Sequence, residues 1–305
     1  GASLALLLLV LLVGEKINGA RRWLALGPAR FQPSELAKLA LILVLAWYGE
    51  RYQRQMPALW KGFVRPLALV GLVVTLIFLE PDWGTALLIG AVSMIMLLVA
   101  GIRWRYVFPV LLAGGLALNY AIAHNSVRHD RVTAFLDLEK HKEGVRYQPW
   151  QAMLAFGAGG WLGKGLGNSR QKLDFIPEHH TDFILSVVGE ELGAAATLSV
   201  LLAFVVLVVC GVFIAWHARD MFGQLLATGI TFLIGLQAFI NIGVETSTLP
   251  NKGISLPFIS YGGSNLLVML VCVGILFSVA RGASEEEPAE SVPGQDEELL
   301  APQLS

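Results

Sequence analysis

Asp182 closes the run Pro177-Glu178-His179-His180-Thr181-Asp182 and stands directly before the apolar Phe183-Ile184-Leu185. A carboxylate at such a boundary can cap the helix that begins there, or take a proton from a hydroxyl brought to it. Three ionisable neighbours within four positions, Glu178, His179 and His180, make capping alone a thin account. The same neighbours are metal-ligand types, but no second His/Cys cluster completes a tetrahedral site. A hard divalent ion shared with a substrate phosphate would need only one or two acids.

Other polar residues gather at the ends of apolar runs. Pro33-Ser34-Glu35-Leu36-Ala37-Lys38 reads as a helix start with Ser34 as N-cap, and Glu35 and Lys38, three apart, share a face. The plain reading is a local ion pair; a Lys one turn into a membrane helix is costly unless paired, so a functional role is also open. Glu80-Pro81-Asp82 forms a tight turn in which Asp82 caps the next helix or points into a cavity. Gly157–Gly160 and Gly163–Asn168 are glycine-rich but lack the Gly-Lys-Ser/Thr ending of a phosphate loop, and Gly also permits close helix packing. Leu249–Gly253 and Ser260–Asn265 are irregular, Gly- and Pro-containing segments of the kind tolerated at membrane depth where they line a cavity.

The elements that must position these groups are set by composition. Of 305 residues, 55% are hydrophobic and 15% charged, against about 45–50% and about 25% in soluble domains. Disorder, a nucleic-acid-binding domain and a water-soluble enzyme are excluded, and Cys210 and Cys272 lie in apolar runs without a disulfide framework. Eight apolar stretches approach the length of a membrane helix: 1–13, 36–49, 64–80, 84–100, 105–123, 183–215, 223–244 and 263–281. The predicted fold is all-α, a polytopic transmembrane helical bundle with a large extracytoplasmic loop at about 124–182. The first stretch is short and begins abruptly at Gly1, so the chain reads as lacking earlier helices.

Arg51, Arg54, Lys61, Arg65, Arg103, Arg105, Arg219 and Arg281 place their connections on the cytoplasmic side. Lys16, Arg21, Arg22 and Arg30 remain outside, which suggests an anionic ligand there. Residues 1–281 form the membrane domain, and 282–305, with seven acids, no base and three prolines, read as a disordered acidic cytoplasmic tail. The formal net charge of −1 hides this split: without the tail's acids, 22 basic residues face 16 acidic ones. From the residues alone, an outward polar cavity lined by Lys38, Asp82, Asp182, Lys252 and nearby arginines fits a lipid-phosphate enzyme and an anion or lipid transporter equally.

Several motifs resemble the shape, elongation, division and sporulation (SEDS) family. They are Ile17–Trp23, Gln32–Lys38, Pro81–Thr85, Arg131–Phe135, Pro177–Phe183, Gly189–Gly193 and Leu256–Ser264, in the family's order. Gly165–Leu173 and Leu249–Gly253 are more similar to its division branch than to its elongation branch. The resemblance implies ten helices in the full fold, and a peptidoglycan glycosyltransferase that polymerises lipid II outside the cytoplasmic (inner) membrane at the septum. Asp182 matches the family's essential outer-loop aspartate and is the expected general base. The expected substrate-binding set is Glu35, Lys38, Asp82, Arg131, His180, Lys252 and Ser264. Asp82 is the candidate for a divalent cation, Mg or Mn, or for orienting Lys38; no organic cofactor is implied. Implied partners are a class B penicillin-binding protein (an FtsI-type transpeptidase) and divisome regulators such as FtsQ, FtsB and FtsL, with no nucleic acid. The alternatives are a lipid II flippase, an elongation polymerase or a division scaffold. A flippase would carry polar groups through the bilayer, and here only Glu190 and Glu191 lie well inside an apolar run.

Overall fold

The computed structural model describes residues 1–17, 20–26, 29–124, 147–169, 181–251 and 253–284. These residues form α1 (Ala2–Val13), β1 (Glu15–Ile17), β2 (Ala20–Leu26), β3 (Ala29–Phe31), α2 (Pro33–Arg51), α3 (Arg65–Leu79), α4 (Trp83–Val99), α5 (Trp104–Ala123), α6 (Tyr147–Gly159), α7 (Ile184–Trp216), α8 (Met221–Glu245) and α9 (Gly263–Ser284). Each of the eight apolar stretches is a helix, because backbone polar groups in lipid must be satisfied within the segment. Among the described residues, five helices are long and apolar enough to cross a bilayer unaided: Leu59–Leu79, which includes a π-helical lead-in to α3, and α5, α7, α8 and α9. The protein is a multi-pass helical membrane protein. α9 continues to Ser284, past the expected domain end at 281, and 285–305 lie outside the described residues.

α8 is the central helix and packs against α2, α4, α7 and α9. Its inner face joins Ile42 and Leu45 of α2, Met96 of α4 and Met269 of α9 in one apolar core. α5 is the opposite case: Val107 is its one buried residue, and Phe108, Leu112 and Leu116 are exposed as lipid-facing side chains would be. Trp60, Trp104 and Trp216 are exposed at the helix ends expected to face the cytoplasm, where amphipathic rings anchor a protein at the headgroups.

Two features were not foreseen. The strands β1, β2 and β3 form a three-stranded antiparallel sheet, in the order β1-β2-β3, on the outer side. It gives three of the basic residues there, Arg21, Arg22 and Arg30, structural partners. Arg21 Nη1 donates to the carbonyls of Leu11 (3.5 Å) and Leu12 (3.3 Å) at the end of α1. Arg22 donates to the carbonyls of Glu80 (3.0 Å) and Pro81 just beyond α3. Helix C-termini leave carbonyls without partners, and two neighbouring arginines supply them to two helices. Arg30 pairs with Glu15 at 3.6 Å.

The second feature is α6, inside the segment read as loop, with Pro149 tolerated in its first turn. Beyond α6 the chain meets a break in α7. Gly193 has φ 81° and ψ −178°, a conformation essentially confined to glycine. The break exposes backbone groups that Gly160–Gly165 re-satisfies: Lys164 N donates to Glu190 O (3.0 Å), Gly165 N to Glu191 O (2.9 Å), and Ala194 N to Gly160 O (2.8 Å). Lys164 Nζ pairs with Glu190 at 2.8 Å, and Ser169 Oγ donates to the same carboxylate at 2.6 Å. α7 is therefore kinked at Gly193, and Glu190 belongs to the closure of the kink.

A Cβ at position 193 would lie 2.4 Å from Trp161 O and 2.5 Å from Gly163 N. Gly193→Ala is therefore expected to destabilise by about 1–3 kcal/mol from backbone strain alone, with the clash added. Melting in detergent checks this against Gly90→Ala, where the added Cβ meets nothing within 4 Å and no loss is expected.

Candidate functional site

Toward the end of α8 the buried polar residues Gln237, Asn241 and Glu245 are spaced by four and so lie on one face. In an apolar environment each must find partners. Gln237 accepts from Lys38 Nζ (3.0 Å) and donates to Ser255 O (2.9 Å). Asn241 Nδ2 donates to Asp182 O and Ile254 O, both at 2.9 Å. Glu245 accepts from Leu185 N (3.3 Å) and Ser186 N (2.6 Å) at the start of α7. One polar spine thus ties α2, the 253–255 segment and the Asp182 turn together.

Residues 253–255 are the hub. A Cβ on Gly253 would stand 2.5 Å from Asp182 Oδ2, so only glycine lets the carboxylate sit against this backbone. On another side Ile254 packs over Gly84 at the start of α4, which leaves no room for a side chain there. Asn265 Nδ2 of α9 donates to Ser255 Oγ at 2.5 Å. Asp182 itself is half-buried, and Ser260 Oγ donates to Thr181 O beside it.

The remaining expected residues divide. Lys38 and Glu35 are 2% and 5% exposed, with Nζ 2.8 Å from Oε2, so the i,i+3 pair is present and lies inside the bundle. Beside Lys38 is a void of about 10 Å³, bounded by Leu41, Ile42, Ile89, Ser93 and Leu233, with room for about one water. Pockets for drug-sized ligands run to about 300–1,000 Å³, so this space does not take a sugar headgroup. Lys38 is held by Glu35 and Gln237 rather than oriented by Asp82. Asp82 caps α4, accepting from Thr85 N (3.2 Å) and from Gln32 Nε2 (3.4 Å). Ser34 is not the N-cap of α2: Gln32 occupies that position, and its amide donates to Ser34 Oγ at 2.9 Å. Ser264 Oγ accepts from Gln32 N (3.1 Å) and donates to Arg30 O (3.2 Å), joining α9 to the β3–α2 corner. Arg131, His180 and Lys252 lie outside the described residues. Among the described residues no three His, Cys, Asp or Glu side chains gather as a metal site.

Glu80, in the turn between α3 and α4, is fully buried, and neither carboxyl oxygen has a hydrogen-bond partner. Burial, reinforced by Asp82 and opposed by Arg22, pushes its pKa from 4.5 to about 8, so it is protonated at neutral pH. The sign follows from linkage: a carboxyl raised on folding favours the native state fully below 4.5, and that advantage is lost as pH rises through about 8. Wild type is expected to lose melting temperature relative to Glu80→Gln between about pH 5 and about pH 9. Parallel melting curves across that range would refute it.

These features describe a SEDS-type integral membrane fold. The chain belongs to the FtsW, RodA and SpoVE family, described as cell cycle protein, whose model matches residues 2–285. It is similar to a protein of Trichlorobacter lovleyi named probable peptidoglycan glycosyltransferase FtsW, 42% identical over 92% of this chain and 74% of the relative. A protein of the same name from Geobacter metallireducens is 43% identical over 91% and 74%. Among solved structures, a chain of a peptidoglycan synthase complex that coordinates polymerisation and crosslinking aligns with TM-score 0.77 and 32% identity, over 94% of this chain and 80% of that one. The rod shape-determining protein RodA of Thermus thermophilus aligns with TM-score 0.66 and 32% identity, over 94% and 77%.

Proposed function

We propose that this chain is a peptidoglycan glycosyltransferase that polymerises lipid II at the outer face of the cytoplasmic membrane during septal division. The observation that carries the reading is the α8 spine, which seats one carboxylate, Asp182, at the outer end of the bundle against the 253–255 segment. The names of the relatives supply the reaction class and the division role.

The reaction joins the 4-hydroxyl of an acceptor GlcNAc to the anomeric carbon of a donor sugar, with inversion, and expels the lipid pyrophosphate. The hydroxyl is a poor nucleophile, so Asp182 accepts its proton as the new C–O bond forms, an effect typically worth about 10²–10⁴-fold. The leaving pyrophosphate needs no acid; it needs positive charge. Lys252 is joined directly to Gly253, beside Asp182, and Arg131 and His180 complete the expected contacts. Lys38, inside the bundle, holds Gln237 and through it the 253–255 segment. A divalent cation, Mg or Mn, would add charge at the pyrophosphate, with Asp82 as the protein carboxylate nearest in role to a ligand. Partners on this reading are a class B penicillin-binding protein for crosslinking and the divisome regulators FtsQ, FtsB and FtsL. The structural likeness to a chain of a complex coupling both reactions supports the first of these.

The test is reconstitution of the purified chain, with its transpeptidase partner, in liposomes carrying labelled lipid II. Glycan ladders are the expected result. Lipid II crossing the bilayer without polymer would replace the reading with a flippase.

A further inference from the structure

We propose that Glu245, with Asn241, is a positioning residue for Asp182: the outer end of α8 caps α7 from outside, so that Asp182 does not have to cap its own helix. The inference rests on the general-base reading of Asp182.

An Asp just ahead of a helix is ordinarily its cap, its carboxylate accepting the first backbone N–H groups. Here the cap position falls on Phe183, which offers no side-chain acceptor. The N–H groups of Leu185 and Ser186 go instead to the two oxygens of Glu245, a residue 60 and 59 positions away in sequence and 0% exposed. One turn earlier on the same face, Asn241 grips the carbonyl of Asp182 itself. Ser260 takes the carbonyl of Thr181. The backbone is therefore pinned at 181, 182, 185 and 186, with the Asp182 carboxylate against Gly253. A helix N-terminus attracts carboxylates, and supplying one from α8 removes the pull that would turn Asp182 inward toward its own helix. A residue in this role sets how often the base is in reach of the acceptor hydroxyl, and does not set how tightly substrate binds.

The experiment measures lipid II polymerisation by the full chain with its transpeptidase partner, for wild type, Glu245→Gln, Glu245→Ala and Asp182→Asn. Glu245→Ala is expected to lower kcat on the order of 10- to 100-fold with KM within about twofold, the cost of misplacing a reacting group. Glu245→Gln keeps one acceptor oxygen at the cap and is expected to recover most of the rate. If Glu245→Ala does not give folded protein, Asn241→Ser, which replaces the amide by a hydroxyl too short to hold the Asp182 carbonyl, carries the same expected fall in kcat at unchanged KM. An unchanged kcat in both Glu245→Ala and Asn241→Ser overturns the proposal. So does a rise in KM alone, or Glu245→Gln as slow as Glu245→Ala. An active wild type with inactive Asp182→Asn and fully active Glu245→Ala overturns only the positioning role. A wild type that makes no polymer overturns the general-base reading beneath it.

Discussion

Asp182→Asn is expected to remove the glycan ladder while leaving the fold intact. The amide is the same size as the carboxylate, so the contact with Gly253 survives, and the bond from Asn241 goes to the backbone carbonyl of residue 182, which the substitution does not touch. What is lost is basicity: an amide does not accept the hydroxyl proton at neutral pH. The fall should reach about 10²–10⁴-fold in rate. Circular dichroism and melting in detergent should match wild type, which separates lost chemistry from lost structure. Polymerisation within a few-fold of wild type would remove Asp182 from the reaction.

The second large effect is on stability. Lys38→Met leaves Glu35 as an uncompensated carboxylate at 5% exposure, and takes away the donor that engages Gln237. Breaking a buried pair from one side typically costs about 3–5 kcal/mol, whereas replacing both partners by neutral groups is often tolerated. The double variant Glu35→Gln, Lys38→Met should therefore recover most of the melting temperature lost by Lys38→Met. A double-mutant cycle measures the coupling. Equal destabilisation of single and double variants would show that the charge pair is not what holds this region.

Much of the fold was legible because lipid imposes a strict rule: an apolar stretch that must satisfy its own backbone is a helix. That rule places the eight expected helices within a few residues of their observed limits and misses α6. The Glu35–Lys38 pair was legible for a similar reason, since three-residue spacing on a helix brings side chains together. Tertiary partners were not legible. That Arg21 and Arg22 reach the carbonyls at the ends of α1 and α3 could not be read from their positions in the chain. Ser34 has the type of an N-cap but lies one residue inside the helix, because Pro33 already occupies the first helical position. The spine did leave a signal: Gln237, Asn241 and Glu245 recur every four residues among apolar neighbours at the end of α8, the pattern of a polar stripe facing the bundle interior. The small sheet β1-β2-β3 gave little signal, because two of its strands are only three residues long.

One gel addresses the central claim most directly. Membranes carrying wild type, Asp182→Asn or Glu80→Gln, each with the same transpeptidase partner, receive the same labelled lipid II. Glu80→Gln replaces a carboxyl that is already neutral at pH 7, and serves as the control for a changed acid on the same outer side. Ladders from wild type and Glu80→Gln with none from Asp182→Asn are the predicted result; ladders of equal intensity in all three lanes would contradict it.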